Sequence, residues 1–286
     1  MSDMSFDYPN ITQKNNPWHG KIDLIYAHRQ NTTQIINSYH QAPLKIQRPF
    51  YPEGKAICHS IILHTAGGIV GGDKLSYNFH LEDNSQALIT TAAASKIYRS
   101  NGLQARQSVN IKVNQGGCLE YLPQETIVFD GAIYRQDTEI YLAKNSTFIG
   151  WEITRFGRSA RGEKFLQGDW RNHTVIYQEG KPLWIDRQWI PGCEEVFHSH
   201  HGLAGSAIAG TLIYIGNPVS PEIITQARNL WNGEGEIGAT RLEHGFLCRY
   251  RGNSTTEVRH WFISIWHLVR QSFLGRSDCI PRVWQI

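Results

Sequence analysis

The chain has 286 residues, 41% hydrophobic and 19% charged, which is an ordinary balance for a water-soluble protein with enough length to bury a core. A net charge of +3, without a basic run, gives no footing for nucleic acid, and no stretch approaches the ~18 apolar residues of a membrane span. The five cysteines, Cys58, Cys118, Cys193, Cys248 and Cys279, are scattered without a C-x-x-C, which argues against a zinc ribbon or a disulfide framework. Free thiols and an N-terminus without a charged-then-apolar leader lead us to expect a cytoplasmic protein.

Residues 1–17 are polar and aromatic and read as a flexible N-terminal arm. A first strand is expected over Lys21–His28, a turn over Gln30–Gln34 and a return over Ile35–Ser38. Pro43, Pro49 and Pro52 make the next piece extended or an edge, because proline cannot donate to a ladder. From Ala56 to Ile215 the pattern is almost wholly β. Tyr77/Phe79/Leu81 and Val109/Ile111/Val113 alternate with period 2, and polar turns recur at short intervals. Thr174–Tyr177 and Leu183–Arg187 flank a Gly-Lys-Pro turn as a hairpin. The spacing predicts a sandwich, a barrel or stacked coils.

The C-terminal region changes character. Pro221–Asn232 carries a helical apolar stripe stopped by Gly233. A β segment follows over Ala239–Arg251. Ser254-Thr255-Thr256-Glu257 is a capping box that opens a helix with Val258, Trp261, Phe262, Ile265, Leu268 and Val269 on one face, and Gly275 fits its C-terminal cap. No strong internal boundary is visible, so residues 18–286 are expected to form a single domain.

The least ordinary stretch is Leu63 to Asp73, in which Gly67-Gly68 and Gly71-Gly72 bracket Ile69-Val70. Gly67 and Gly72 have the separation of a phosphate loop, but Asp73 stands where that loop needs lysine and would repel phosphate. The residues therefore read as a tight turn between strands. Three further segments concentrate unusual residues. Thr90–Ser100 combines small side chains with Lys96 and Arg99. Leu119–Ala132 embeds Glu120, Glu125 and Asp130 among apolar neighbours, where each carboxylate needs a partner or water. Trp151–Glu163 spaces Arg155, Arg158 and Arg161 by threes and ends on Glu163. His198-Ser199-His200-His201 places imidazoles at i and i+2, on one face of a strand, as weak candidates for metal; without a matched ligand set at short spacing, a loop of solvated histidines is the plainer reading.

Six segments occur together and in order: Pro43-Leu44 to Gly54, Gly67 to Asp73, Thr90 to Ser100, Leu122 to Ala132, Gly157 to Glu163, and Pro281-Arg282-x-Trp284. This series resembles the urease accessory protein D family (UreD, called UreH in some species), from about Trp18 to Trp284. Thr65-Ala66 departs from the family pattern, which commonly has prolines before the first glycine pair. The resemblance implies a mainly β fold, a stacked, β-helix-like arrangement of many short strands with two C-terminal α-helices. It implies a scaffold or chaperone and not an enzyme. Such a protein would bind apo-urease and accessory protein F directly, reach the nickel GTPase accessory protein G through F, and help deliver nickel through an internal passage. No cofactor of its own is expected, only transient nickel. Under the resemblance Asp73, Glu120, Glu125, Asp130 and Glu163 are the candidates to line or support the passage. Gly67, Gly68, Gly71, Gly72, Lys96, Arg99 and Arg158 are its structural motif. Neither nucleic acid nor membrane is expected as a partner. Two alternatives stand beside this reading: a β-helical carbohydrate-active enzyme using Glu125 and Asp130, and a stand-alone nickel-binding protein built on His198, His200 and His201.

Overall fold

A computed structural model describes residues 17–284, so the expected arm, apart from Pro17, lies outside the described residues. The chain opens with the hairpin β1 (His19–Arg29) and β2 (Thr32–Gln41) and the short edge β3 (Leu44–Ile46). It then winds through coils that cross one sheet and return through the other. β4 (Ile57–His64) leads to β5 (Lys74–Leu81). β6 (Gln86–Thr91) and β7 (Ser95–Ile97) lead to β8 (Ala105–Val113). β9 (Cys118–Tyr121) and β10 (Thr126–Val128) lead to β11 (Ile133–Leu142), and β12 (Thr147–Phe156) leads to β13 (Asp169–Gln178). β14 (Lys181–Pro191) folds back on β13 as the expected hairpin. The remaining elements are α1 (Glu194–His198), β15 (Ile208–Ile215), α2 (Pro221–Asn229), β16 (Glu236–Leu242), β17 (Gly245–Gly252) and α3 (Thr255–Val269).

Sheet A has seven strands in the order β14-β13-β11-β8-β5-β1-β2, and its interior pairings are parallel. Sheet B has ten strands, with β16-β17-β15-β12-β9-β6-β4-β3 as its spine and β7 and β10 attached. The expected stacked, β-helix-like fold is therefore present. Parallel strands need a long crossover, and here each crossover is the strand of the opposite sheet. Alternation sends Tyr77, Phe79, Val109 and Ile111 into the space between the sheets, where they meet Phe148 and Phe156 of β12.

A second core lies between sheet B and the helices. α3 buries Val258, Trp261, Phe262, Ile265, Trp266 and Val269, which amounts to about 10 kcal/mol gross at ~1.5–3 per large side chain. Ser254 caps it by accepting from Glu257 N at 3.2 Å, as the capping box predicts. After α3 a π-helical turn, Arg270–Leu274, ends on Gly275 in the left-handed region at φ 60°. α2 and α3 are the two C-terminal helices expected. α1 is an additional five-residue helix. The expected β segment Ala239–Arg251 is present as two strands, β16 and β17, that reverse between Leu242 and Gly245. His198–His201 is not a strand face: His198 closes α1 and the rest is the loop of solvated histidines.

Candidate functional site

The segments singled out in the sequence are one corner of successive coils. Ile69 N donates to Lys96 O at 2.8 Å and Tyr98 N returns to Ile69 O at 2.9 Å. Phe129 N donates to Ile97 O at 2.9 Å and Gly157 N to Val128 O at 2.7 Å, so the corners stack in register. Side chains continue the stack. Tyr98 donates to Gly67 O at 2.8 Å and meets Phe129 edge-on at 5.0 Å, and the Arg158 guanidinium lies 4.5 Å over the Phe129 ring. The glycines answer to this closeness. A Cβ on Gly68 would sit 2.4 Å from the Tyr98 ring, and Gly72 turns at φ +94°. Lys96 contributes its backbone, and its side chain is exposed.

The five carboxylates expected around a passage are held in three ways. Asp73 is 1% exposed and accepts from Trp18 N at 2.7 Å and Val70 N at 2.9 Å. Asp130 takes the backbone N–H groups of Leu166 and Gln167, both at 2.8 Å, and Arg99 at 2.9 Å. Glu163 accepts from Arg158 and from Asp130 N. Burial works to raise its carboxyl, but the Arg158 hydrogen bond and the N–H of Asp130 outweigh that and hold it below the ordinary value. Glu120 and Glu125 face the helical layer. Glu125 pairs with Arg259 of α3. Glu120 is fully buried and accepts from Trp266 Nε1 and from Arg276, with Arg270 at 3.7 Å. Arg270 also pairs with Glu53, to which His59 is bonded at 2.7 Å. Burial pushes the Glu53 carboxyl up, yet the His59 hydrogen bond and the Arg270 charge win and lower it.

None of these five lines the cavity between the sheets. That space, about 70 Å³, sets polar side chains such as Gln107, Gln136, Glu152 and Asn172 among apolar ones, where a sandwich core would be apolar throughout. Among the lining residues is Glu152, on the inner face of β12 between Gly150 and Thr154. Its Oε2 accepts from Asn172 Nδ2 of β13 at 2.7 Å and its Oε1 from Gln136 Nε2 of β11 at 3.1 Å. Protein surrounds it, although it keeps some accessible surface where it borders the cavity. Burial, seconded by the negative Asp186, pushes its carboxyl up to about 7 against the opposing pull of Asn172, Arg249 and Gln136. Asp186, which also lines the cleft, pairs with Arg249 at 2.8 Å. The wall of the cleft formed by sheet B is interrupted beside Glu152. β12 pairs with β9 only through Gly150 and with β10 only from Thr154, and the intervening loop carries the lining residues Pro123 and Gln124. Trp151 Nε1 holds that loop by donating to Pro123 O at 2.8 Å, and Glu125 ties it to α3.

Sequence reading passed over Glu152, Asp186, Asn172 and Gln136. Glu152 lay inside a segment noticed for its arginines. The available signal was a lone carboxylate in a strand, flanked directly by Trp151 and Ile153. His198, His200 and His201 are exposed, His198 reaches Glu194 at 3.1 Å, and among the described residues no group of three metal-ligating side chains forms there or elsewhere. No helix among the described residues is long and apolar enough to cross a membrane.

The family model of the UreD urease accessory protein matches residues 19–285. A curated relative from Nostoc sp. (strain PCC 7120 / SAG 25.82 / UTEX 2576), a urease accessory protein UreD, is 67% identical over 268 residues, covering 94% of this chain and 96% of its own. One from Trichormus variabilis is 68% identical over 268 residues with the same coverage, and one from Synechocystis sp. is 41% identical over 253 residues, covering 87% and 94%. Six ordered motifs, a stacked-coil fold and these matches agree on a role in urease maturation and not in catalysis, and the chain belongs to the UreD family of urease accessory proteins.

Proposed function

We propose that this chain is a maturation scaffold that binds apo-urease and accessory protein F, meets accessory protein G through F, and passes nickel through the cleft around Glu152. The observation that carries the passage is a carboxylate enclosed in protein whose hydrogen bonds come from amides. Arg249, the cation whose charge bears on it, is already paired with Asp186. A divalent ion prefers oxygen ligands, and one carboxylate with amide side chains offers too few for a resident metal. Brief, weak binding is what conduction requires. An arriving cation favours ionised Glu152, so the carboxyl releases its proton to the ion's approach and recovers it on departure. The break in sheet B opens this path beside Glu152, and Asp186, held by Arg249, borders it. Asp73, Glu125, Asp130 and Glu163 support it by fixing the corners and the loop that border it. The chain needs no cofactor of its own.

The test is co-expression with the urease subunits and the other accessory proteins. Without this chain, urease protein accumulates nickel-poor and inactive; full maturation in its absence defeats the scaffold. With Glu152→Gln, the accessory complex is recovered as for wild type while nickel per urease falls several-fold. An unchanged nickel content would remove Glu152 from the path and leave the scaffold standing.

A further inference from the structure

Sheet A is largely parallel, and parallel sheets are ordinarily covered on both faces. Here the helices pack on sheet B, and the outer face of sheet A carries no element of the described residues. The strand register lays a row across that face. His19 stands beside Lys74, Lys74 beside Arg106, Arg106 beside Arg135, Arg135 beside Arg171, and Arg171 beside Trp189. The sequence neighbours Gly20, Leu75, Ala105, Tyr134 and Trp170 are buried, so the row itself points outward. Four cations on consecutive strands stand ~4.8 Å apart, a placement that repels unless something negative is near.

Only part of that charge is answered among the described residues. Arg135 is bonded by Asp137 and Arg171 by Asp169. Among the described residues Lys74 and Arg106 stand in no ion pair, and both are exposed; Arg106 is bonded only to the neutral Gln104. Arg187, one row along on β14, is likewise exposed and unpaired. The row ends on large apolar side chains that water does not favour: Trp189 is 58% exposed under the Arg171 guanidinium at 4.9 Å, and Ile185 is 51% exposed. Arginine beside an exposed tryptophan is the composition of a binding hot spot.

We infer that the outer face of sheet A is a docking surface for an acidic protein surface, with Lys74, Arg106, Arg135 and Arg171 meeting its carboxylates and Trp189 and Ile185 its apolar rim. A phosphate backbone fits less well. It offers no apolar contact to Ile185, which a protein surface does. The identity of the docked protein as a maturation partner rests on the scaffold reading; the chemistry of the surface does not.

Lys74→Glu with Arg106→Glu tests it on the full chain, since neither side chain holds an ion pair whose loss would unfold the protein. Two measurements are made on each form. One is recovery of apo-urease and the other accessory proteins with the chain across a salt series. The other is binding of the isolated chain to poly-L-glutamate and to a short DNA duplex. Wild type binds poly-L-glutamate in a salt-sensitive manner, and the variant binds about ten-fold more weakly or worse, with recovery of a partner falling in parallel at unchanged melting temperature. Wild-type behaviour of the variant in both measurements overturns the inference. So does a duplex bound more tightly than poly-L-glutamate and lost in the variant. If wild type recovers no maturation protein at all, the scaffold reading fails, and the poly-L-glutamate comparison still decides the surface.

Discussion

Glu120 and Glu152 are both carboxylates enclosed in the fold, one on each side of sheet B, and they are treated in opposite ways. Glu120 faces the helical layer with Arg276, Arg270 and Trp266 around it. Glu152 faces the cleft with Asn172 and Gln136. An acid given arginines is fixed as a charged clasp, and its job is to hold α3 and the segment after it onto the sheet. An acid given amides keeps a proton that it can exchange near neutrality, and a glutamine in its place can still be satisfied, because Asn172 can turn its unpartnered Oδ1 towards the new donor. The location of the cation, and not burial, separates structure from candidate function here.

The largest effect is expected where the clasp is broken. Arg270→Met removes a fully buried guanidinium that serves Glu53 and Glu120 together and leaves both short of a partner. Breaking a buried pair from one side costs about 3–5 kcal/mol. Denaturant unfolding should show that loss, and a loss under about 1 kcal/mol would mean that His59 and Arg276 already suffice.

The second effect has the opposite sign in pH. The Glu53 carboxyl is lowered in the fold, so its stabilisation is present above its ordinary value of 4.5 and disappears as pH falls through the folded value. The Glu152 carboxyl is raised from 4.5 to about 7, so the fold is favoured while it holds its proton, and that stabilisation is lost as pH rises from 4.5 to about 7. At roughly 1.4 kcal/mol per unit, the loss approaches about 3 kcal/mol by pH 8, less some solvent screening at the cleft. Glu152→Gln should therefore be more stable than wild type at pH 8 by about 2–3 kcal/mol and no more stable near pH 4.5. Thermal melts at the two pH values read this directly, and equal gains at both would show that packing and not ionisation governs the site.

How much of this the sequence discloses follows from the range of each interaction. The alternation of β5 and β8, the β13–β14 hairpin and the Ser254 cap depend on neighbours within a few residues, and all were legible. The ordered glycine and carboxylate segments were legible as a family resemblance, but not as corners stacked on one another, because their contacts join successive coils. The partners of Glu120 come from positions 266 to 276, and nothing in its own segment announces them. Glu152 was missed for the same reason in reverse: among the described residues no arginine is bonded to it, and that shows only in three dimensions. The cation row was also hidden, since Lys74, Arg106, Arg135 and Arg171 become neighbours only through the register of the coils.

Asp73 offers the finest test of the comparison, because it belongs to neither kind. Among the described residues no arginine is bonded to it, and it does not line the cleft around Glu152. Its two oxygens each accept one backbone N–H, Trp18 at 2.7 Å and Val70 at 2.9 Å, and so close the glycine turn on the start of β1. Asparagine keeps the shape and one acceptor but turns an amide donor towards the other N–H. A buried donor left without an acceptor costs about 1–3 kcal/mol. Asp73→Asn should lower stability by that amount, while urease activation per folded molecule stays at the wild-type level. Glu152→Gln should do the reverse, sparing stability and reducing activation. If Asp73→Asn instead leaves the melting temperature alone and lowers nickel delivery, then Asp73 acts on the cargo despite its two backbone hydrogen bonds. The rule that an acid satisfied by the fold is structural would then fail at the residue where it is simplest to apply.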